Sequence, residues 1–241
     1  MSGPLIRWLA LAVLVAAMVL VPGWFAPLLQ PFAPSGGPVI YDRASLASLT
    51  AAHLGLVTAA MVPSVALGLG LAVLVNRPSG AEFLPLSRAL ANFGQTVPPV
   101  AVLALAVPIL GFGNGPAVLA LFLYGLLPIF ENALAGLQTV PGAVALSARA
   151  MGMSDRQTLA RIELPLALPL ILEGVRISAV IALSTATIGS TVAARSLGEV
   201  ILAGLNANNL AFVIQGGVLT GALAVLIHAG FGLLIAAVRP R

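Results

Sequence analysis

Residues 89–130 read ALANFGQTVPPVAVLALAVPILGFGNGPAVLALFLYGLLPIF, 42 consecutive positions without a charged side chain. A helix crosses the hydrocarbon of a bilayer with about 20 apolar residues, so this run has room for two spans. The turn Gly111-Phe112-Gly113-Asn114-Gly115 divides it into helices over about 93–110 and 116–134. Further uncharged runs lie at 8–41, 44–76, 177–194 and 200–238. They predict spans near Ile6–Leu29, near Leu54–Val75, from Pro165 to about Val192, and over about 213–237. The expected fold is all-α, a polytopic transmembrane helical bundle of about six spans.

Composition supports the same class. Hydrophobic residues make up 60% of the 241 positions and charged residues 7%, where a soluble domain carries about 25% charged. Lipid is the solvent that tolerates this balance. There is no cysteine, which excludes disulfides and thiolate metal sites. The net charge of +4 comes entirely from arginine on the basic side. Nucleic acid is not the expected partner; arginines hold cytoplasmic loops against anionic membrane lipid. With the N-terminus inside, Arg7, Arg77, Arg88, Arg149, Arg156, Arg161, Arg239 and Arg241 are cytoplasmic. Arg43 and Arg195 fall outside, and Arg176 sits within a span. This bias predicts cytoplasmic termini in a bacterial inner membrane. The first apolar stretch exceeds a signal peptide's usual h-region and no small-x-small cleavage site follows it, which favours a retained helix.

Several chemistries are absent from the sequence. A phosphate-binding P-loop needs a lysine after its glycines, and the chain has none. No catalytic residue and no metal site is expected, and any ATP hydrolysis belongs to another polypeptide. A charge at mid-bilayer costs roughly 2.5–3.5 kcal/mol on insertion scales. Glu173 and Arg176, three apart on one helix face, form the one intramembrane pair expected. They either serve a pathway or interface, or neutralise each other near the cytoplasmic end of the helix. His228, in the sixth span, either lines a pathway or is a hydrogen-bonded packing histidine, and Glu131 has a plain reading as an interfacial acid. So few buried acids argue against a proton-coupled carrier. Gly68, Gly70, Gly189 and Gly217 are expected points of close helix approach. Ser184, Thr185, Thr187, Ser190 and Thr191 give the fifth span a polar face. That face either lines a solute path or bonds to its own backbone.

The inner segment 135–165 is the most informative. Val144–Met151 is helix-compatible, and Gly152 can end that helix. Ser154 can cap a second short helix through Arg161, with Asp155 in its first turn and Gln157 at its third position. Pro165 then marks the entry to the fifth span. Two short helices of mixed charge form a docking surface for a soluble cytoplasmic partner.

This stretch resembles the EAA loop of binding-protein-dependent ATP-binding-cassette permeases. The family's pattern is Glu-Ala-Ala, three residues, Gly, nine residues, Ile, one residue, Leu-Pro. Ala148, Gly152, Ile162, Leu164 and Pro165 fall on it, while Leu146 replaces the Glu and Ser147 the first Ala. Gln95-Thr96-Val97-Pro98, Glu163-Leu164-Pro165-Leu166-Ala167-Leu168-Pro169, Gly174-x-Arg176 and Thr185-Ala186-Thr187-Ile188 are similar to the glycine betaine/carnitine/choline branch. So are His53-Leu54-x-Leu56-Val57, Leu121–Pro128 and Leu197-Gly198. The resemblance implies a type I importer permease, with 1–241 as one transmembrane domain and 135–165 as its coupling loop. It implies a second permease, a cytoplasmic ATPase that binds ATP and Mg, and an extracytoplasmic substrate-binding protein. It assigns ATPase coupling to Ala148, Gly152, Met153, Ser154, Asp155, Arg156, Ile162, Leu164 and Pro165. The implied cargo is an osmoprotectant such as glycine betaine, choline or carnitine. The rival readings are a permease for another small solute, a stand-alone channel or secondary carrier, and a membrane scaffold that moves nothing.

Overall fold

The computed structural model describes residues 2–239, so Arg241, counted above as cytoplasmic, lies outside the described residues. All regular structure among them is helical. The principal helices are α1 (Ser2–Leu20), α2 (Leu46–Val75), α3 (Leu84–Thr96), α4 (Pro99–Leu110) and α5 (Asn114–Gln138). They are followed by α6 (Gly142–Ala150), α7 (Asp155–Ala186), α8 (Gly198–Asn206) and α9 (Leu210–Val238).

Local chemistry sets several boundaries differently from the sequence expectation. The first helix ends at Leu20, not near Leu29. Val21 leaves helical geometry ahead of Pro22, and short turns restart across 22–32 at the following prolines. The second starts at Leu46, not Leu54, because Ser45 caps it by accepting the Ser48 amide. The predicted span over 93–110 is broken. Val97, forced extended by Pro98, separates α3 from α4 at a bend of 96°. The stretch 193–212, between the predicted fifth and sixth spans, contains α8.

The broken pair is held to α5. Gln95 Nε2 donates to the Tyr124 carbonyl at 2.8 Å, and the Tyr124 hydroxyl donates to the Val97 carbonyl. The second bond satisfies the Val97 carbonyl, which the bend would leave bare inside lipid, and the first satisfies the Tyr124 carbonyl, which has no helical donor because Pro128 lies four residues on.

Side-chain contacts fix the direction of each crossing. Ser64 Oγ donates to the Phe122 carbonyl at 3.0 Å, and Gly68 lies against Ile129, so α2 and α5 run parallel. The bent pair between them therefore returns the chain across the membrane and supplies a sixth crossing beside the five long apolar helices. Helix α7 runs antiparallel to α5, with Ser178 on Gly125 and Ala167 on Gly136. The start of α1 (Pro4, Arg7) shares a groove with the end of α9 (Ala236, Ala237), so both helix ends lie on one side. That side carries most of the arginines and is cytoplasmic.

The core is the α2–α5–α7 layer, centred on Ile129, Phe130, Leu134, Leu183 and Ala60. Helix α1 is peripheral and buries only Val15 among its large apolar side chains. Its Trp8 indole donates to the Leu226 carbonyl at 2.9 Å. Val13, Leu20, Leu105, Ile109 and Phe112 project outward, an apolar surface suited to lipid.

Close helix approach depends on glycine, at sites only partly anticipated. A Cβ on Gly68 would sit 2.9 Å from Ile129 Cγ2, and one on Gly189 would sit 3.0 Å from Ala117 Cβ. Gly70 and Gly217, also expected to be contacts, face open space. The tighter crossings are Gly94, whose Cβ would lie 2.3 Å from the Leu123 carbonyl oxygen, and Gly174, 2.6 Å from that of Pro128. Gly174→Val should therefore overpack the α5–α7 crossing, at a cost of about 1–3 kcal/mol. Thermal unfolding in detergent should show a lower midpoint for it and no drop for Gly217→Ala; equal midpoints would contradict this packing.

Candidate functional site

The cytoplasmic segment folds into a compact handle. Helix α6 ends where Gly152 turns left-handed (φ +85°). The Met153 amide donates to the Ala148 carbonyl at 3.1 Å and the Gly152 amide to the Arg149 carbonyl at 2.9 Å, closing the end of the helix. Ser154 and Gln157 form a reciprocal capping box, which starts α7. Arg149 and Asp155 then pair at 3.1 Å across the turn. Of the predicted coupling residues, Ala148 is buried, Met153, Ile162 and Leu164 are half-buried, and Gly152, Ser154, Asp155, Arg156 and Pro165 are exposed. Leu146 and Met151 stand 69% and 75% exposed, although both are apolar and lie outside the spans.

The second arm is not a separate short helix ending at Arg161. It runs unbroken into the fifth span through a π turn at Leu159–Glu163. The cause is Pro165, which has no amide hydrogen and whose ring would crowd the Arg161 carbonyl in an α-helix. The wider turn absorbs it, and the Leu164 amide reaches the Leu159 carbonyl instead.

Glu163 closes that turn and is buried. Both its oxygens accept from Arg77, just past the end of α2, with Arg77 Nη1 to Oε1 at 3.2 Å and Nη2 to Oε2. A second pair joins Arg88 of α3 to Glu131 of α5, at 2.7 and 3.2 Å. Glu131 is thus a helix-to-helix contact as well as an interfacial acid. Sequence reading missed both pairs, because their members lie in separate loops and helices and no spacing rule joins them. The expected pair does form, with Arg176 Nη1 at 3.2 Å from Glu173 Oε2. Arg176 Nε, however, is buried without an acceptor among the described residues.

At the outer end, α7 passes into a 3-10 turn at Ile188–Val192 and does not remain α-helical to Val192. Of the residues expected to form a polar face, Ser184 and Thr191 are exposed, and Thr185, Thr187 and Ser190 half-buried. Its hydroxyl hydrogens are mostly committed. Ser184 donates to Val180 at 3.2 Å, Thr187 to Ser184 at 2.7 Å and Thr191 to Ile188 at 2.7 Å, all to backbone carbonyls. Ser190 pairs with Ser196 at 2.7 Å, and Ser196 also donates to the Ala186 carbonyl. What the face retains is oxygen lone pairs. Thr185 lines a crevice with Pro99, Leu103 and Gly189 of only about 10 Å³, too small for any solute.

His53 is the residue that sequence reading left without a role. It lies on α2, fully buried against α7 and the outer segment at Leu197. Its Nε2 lies 3.1 Å from the Leu183 carbonyl, and its Nδ1 accepts the Leu197 amide at 3.4 Å. A carbonyl only accepts and an amide only donates, so the ring is neutral with its hydrogen on Nε2. The one ionisable side chain within the run 44–76 was the available signal. His53→Phe keeps the bulk and removes both bonds. Hydrogen exchange should then speed up at the Leu197 amide, with stability falling by about 1–3 kcal/mol. Unchanged exchange would show that the histidine does not secure the loop.

The family model described as "Binding-protein-dependent transport system inner membrane component" matches residues 64–241. The chain is 39% identical over 175 residues to an osmoprotectant import permease protein of Salmonella typhimurium, covering 73% of this chain and 74% of that one. It is 45% identical over 138 residues to a carnitine transport permease protein of Listeria monocytogenes, covering 57% and 62%. It is 40% identical over 167 residues to a choline transport system permease protein of Bacillus subtilis, covering 66% and 74%. Its fold matches a chain of the MetNI methionine ABC transporter in an inward-facing conformation, at a TM-score of 0.70 and 22% identity. That match covers 78% of this chain and 94% of the other.

Proposed function

The chain belongs to the family of binding-protein-dependent transport system inner membrane components, and from that premise we propose that it imports a compatible solute bearing a quaternary ammonium group. Glycine betaine, choline and carnitine are the proposed cargo class. The chain acts as one permease domain over 1–241. It supplies no ATPase chemistry of its own. A cytoplasmic ATPase holding ATP and Mg drives it, an external binding protein delivers solute, and a second permease chain completes the path.

The handle at 142–158 is the observation that carries this reading. It is fixed by its own capping box, projects on the side of the helix ends of α1 and α9, and presents apolar Leu146 and Met151 to water. Those features suit a partner that grips it and moves it. The missing Glu at Leu146 changes the grip from a charged contact to an apolar one.

The cargo class is supported by the activities of the relatives and by the chemistry of the α7 face. A quaternary ammonium carries positive charge and no N–H donor, so it is matched by lone pairs whose own hydrogens are engaged elsewhere. Ser184, Thr187, Ser190 and Thr191 have that character. The crevice beside Thr185 is too small for solute, which favours a path between two permease chains.

Three outcomes are expected. Proteoliposomes holding the permease and its ATPase should take up betaine, choline or carnitine only with ATP and binding protein, and should leave proline behind. Uptake without ATPase would instead identify a channel or carrier. Leucine at Thr187 and Thr191 should cut uptake at least about tenfold while the complex stays assembled; unaltered uptake would remove the α7 face from the path. Charge reversal at both Asp155 and Arg156 should release or uncouple the ATPase, seen as loss of co-purification or of ATP-dependent uptake. Wild-type values for both would separate these residues from coupling.

A further inference from the structure

The Arg77–Glu163 pair joins the one segment that emerges as a handle to the helix that leads the core. Glu163 fills the unassigned position in Ile162-x-Leu164-Pro165. It is 7% exposed and lies 86 residues from its partner in sequence. Both carboxylate oxygens are engaged by a single guanidinium, a two-bond contact that fixes orientation as well as distance. Arg77 follows the C-cap residue Asn76, where a cation also complements the negative end of the α2 dipole.

The π turn is what aims Glu163. Thr158, the inward-facing residue of the capped turn, is fully buried, and Glu163 lies five positions on. On an α-helix, residues five apart point about 140° from each other. A turn bonded from i to i+5 brings them to the same side. Thr158 thereby packs under the handle while Glu163 faces Arg77. An unmodified α-helix here would turn Glu163 away from α2.

We propose that Glu163 and Arg77 are positioning residues for energy coupling, transmitting displacement of the handle to α2 as well as along α7. The inference rests on the permease reading above. Helix α7 alone moves one side of the α2–α5–α7 layer. The ion pair obliges α2 to follow, and α2 carries His53 and its hold on the outer loop at its far end. Handle and outer loop are thus linked by two routes, one through each helix. Without the pair, nucleotide turnover continues and moves less solute.

The test uses the full complex of permease, ATPase and binding protein in proteoliposomes, reading solute moved per ATP hydrolysed. Glu163→Gln, Arg77→Met and the exchanged pair Arg77→Glu/Glu163→Arg are compared among assembled complexes of equal yield. Each single variant should lower the ratio at least about fivefold, with ATPase activity kept and the KM for solute unchanged. The exchanged pair should recover a substantial part of it. Arg77→Lys, which retains the charge but not the two-bond geometry, should fall between. Single variants with a wild-type ratio would overturn the proposal, as would transport and ATPase activity falling together. Failure of the wild-type complex to couple ATP to uptake would instead refute the permease reading itself.

Discussion

No water is available in the hydrocarbon, so every backbone group along a crossing must find its partner within the protein. For most of this chain that means unbroken helix. The bend at Val97-Pro98 is where the requirement is hardest to meet. It is met by Gln95 and Tyr124, which carry hydrogen bonds between α3 and α5. Gly94 lets α3 lie close enough for those bonds to form. A chain turned by 96° at this point still completes its crossing because α5 serves as its splint. The parallel arrangement of α2 and α5, and with it the placing of both termini, follows from that completed return.

The division into apolar spans was legible from charge placement alone, because an uncharged run of sufficient length has few other uses. Helix ends were less so. Leu20 and Leu46 depend on a proline and a serine cap, each acting within one turn, against a hydropathy signal averaged over about 20 residues. The π turn was invisible for a related reason. Pro165 reads as a helix start, and only the buried Thr158 and Glu163 on either side of the turn reveal that the helix passes through. The glycine contacts were half legible. Gly68 and Gly217 look alike in sequence, and their difference lies in which face meets a neighbouring helix.

The handle residues were the best specified part of the candidate site, since a cap, a left-handed glycine and a capping box are local devices. The ion pairs Arg77–Glu163 and Arg88–Glu131 were not, because each joins elements that the chain brings together only after folding. His53 belongs with them. Its two partners, Leu183 and Leu197, are backbone groups more than a hundred positions away, and no side-chain pattern announces a bond to a backbone atom.

The closed loop of bonds around Gly152 and Ser154 has a bearing on recognition. Because Ser154 and Gln157 cap one another and Arg149 meets Asp155, the knob between α6 and α7 holds its shape before any visitor arrives. Recognition then forfeits little conformational freedom on this side of the contact. Any protein that meets this knob finds it already shaped, so no folding step is needed here at the moment of encounter.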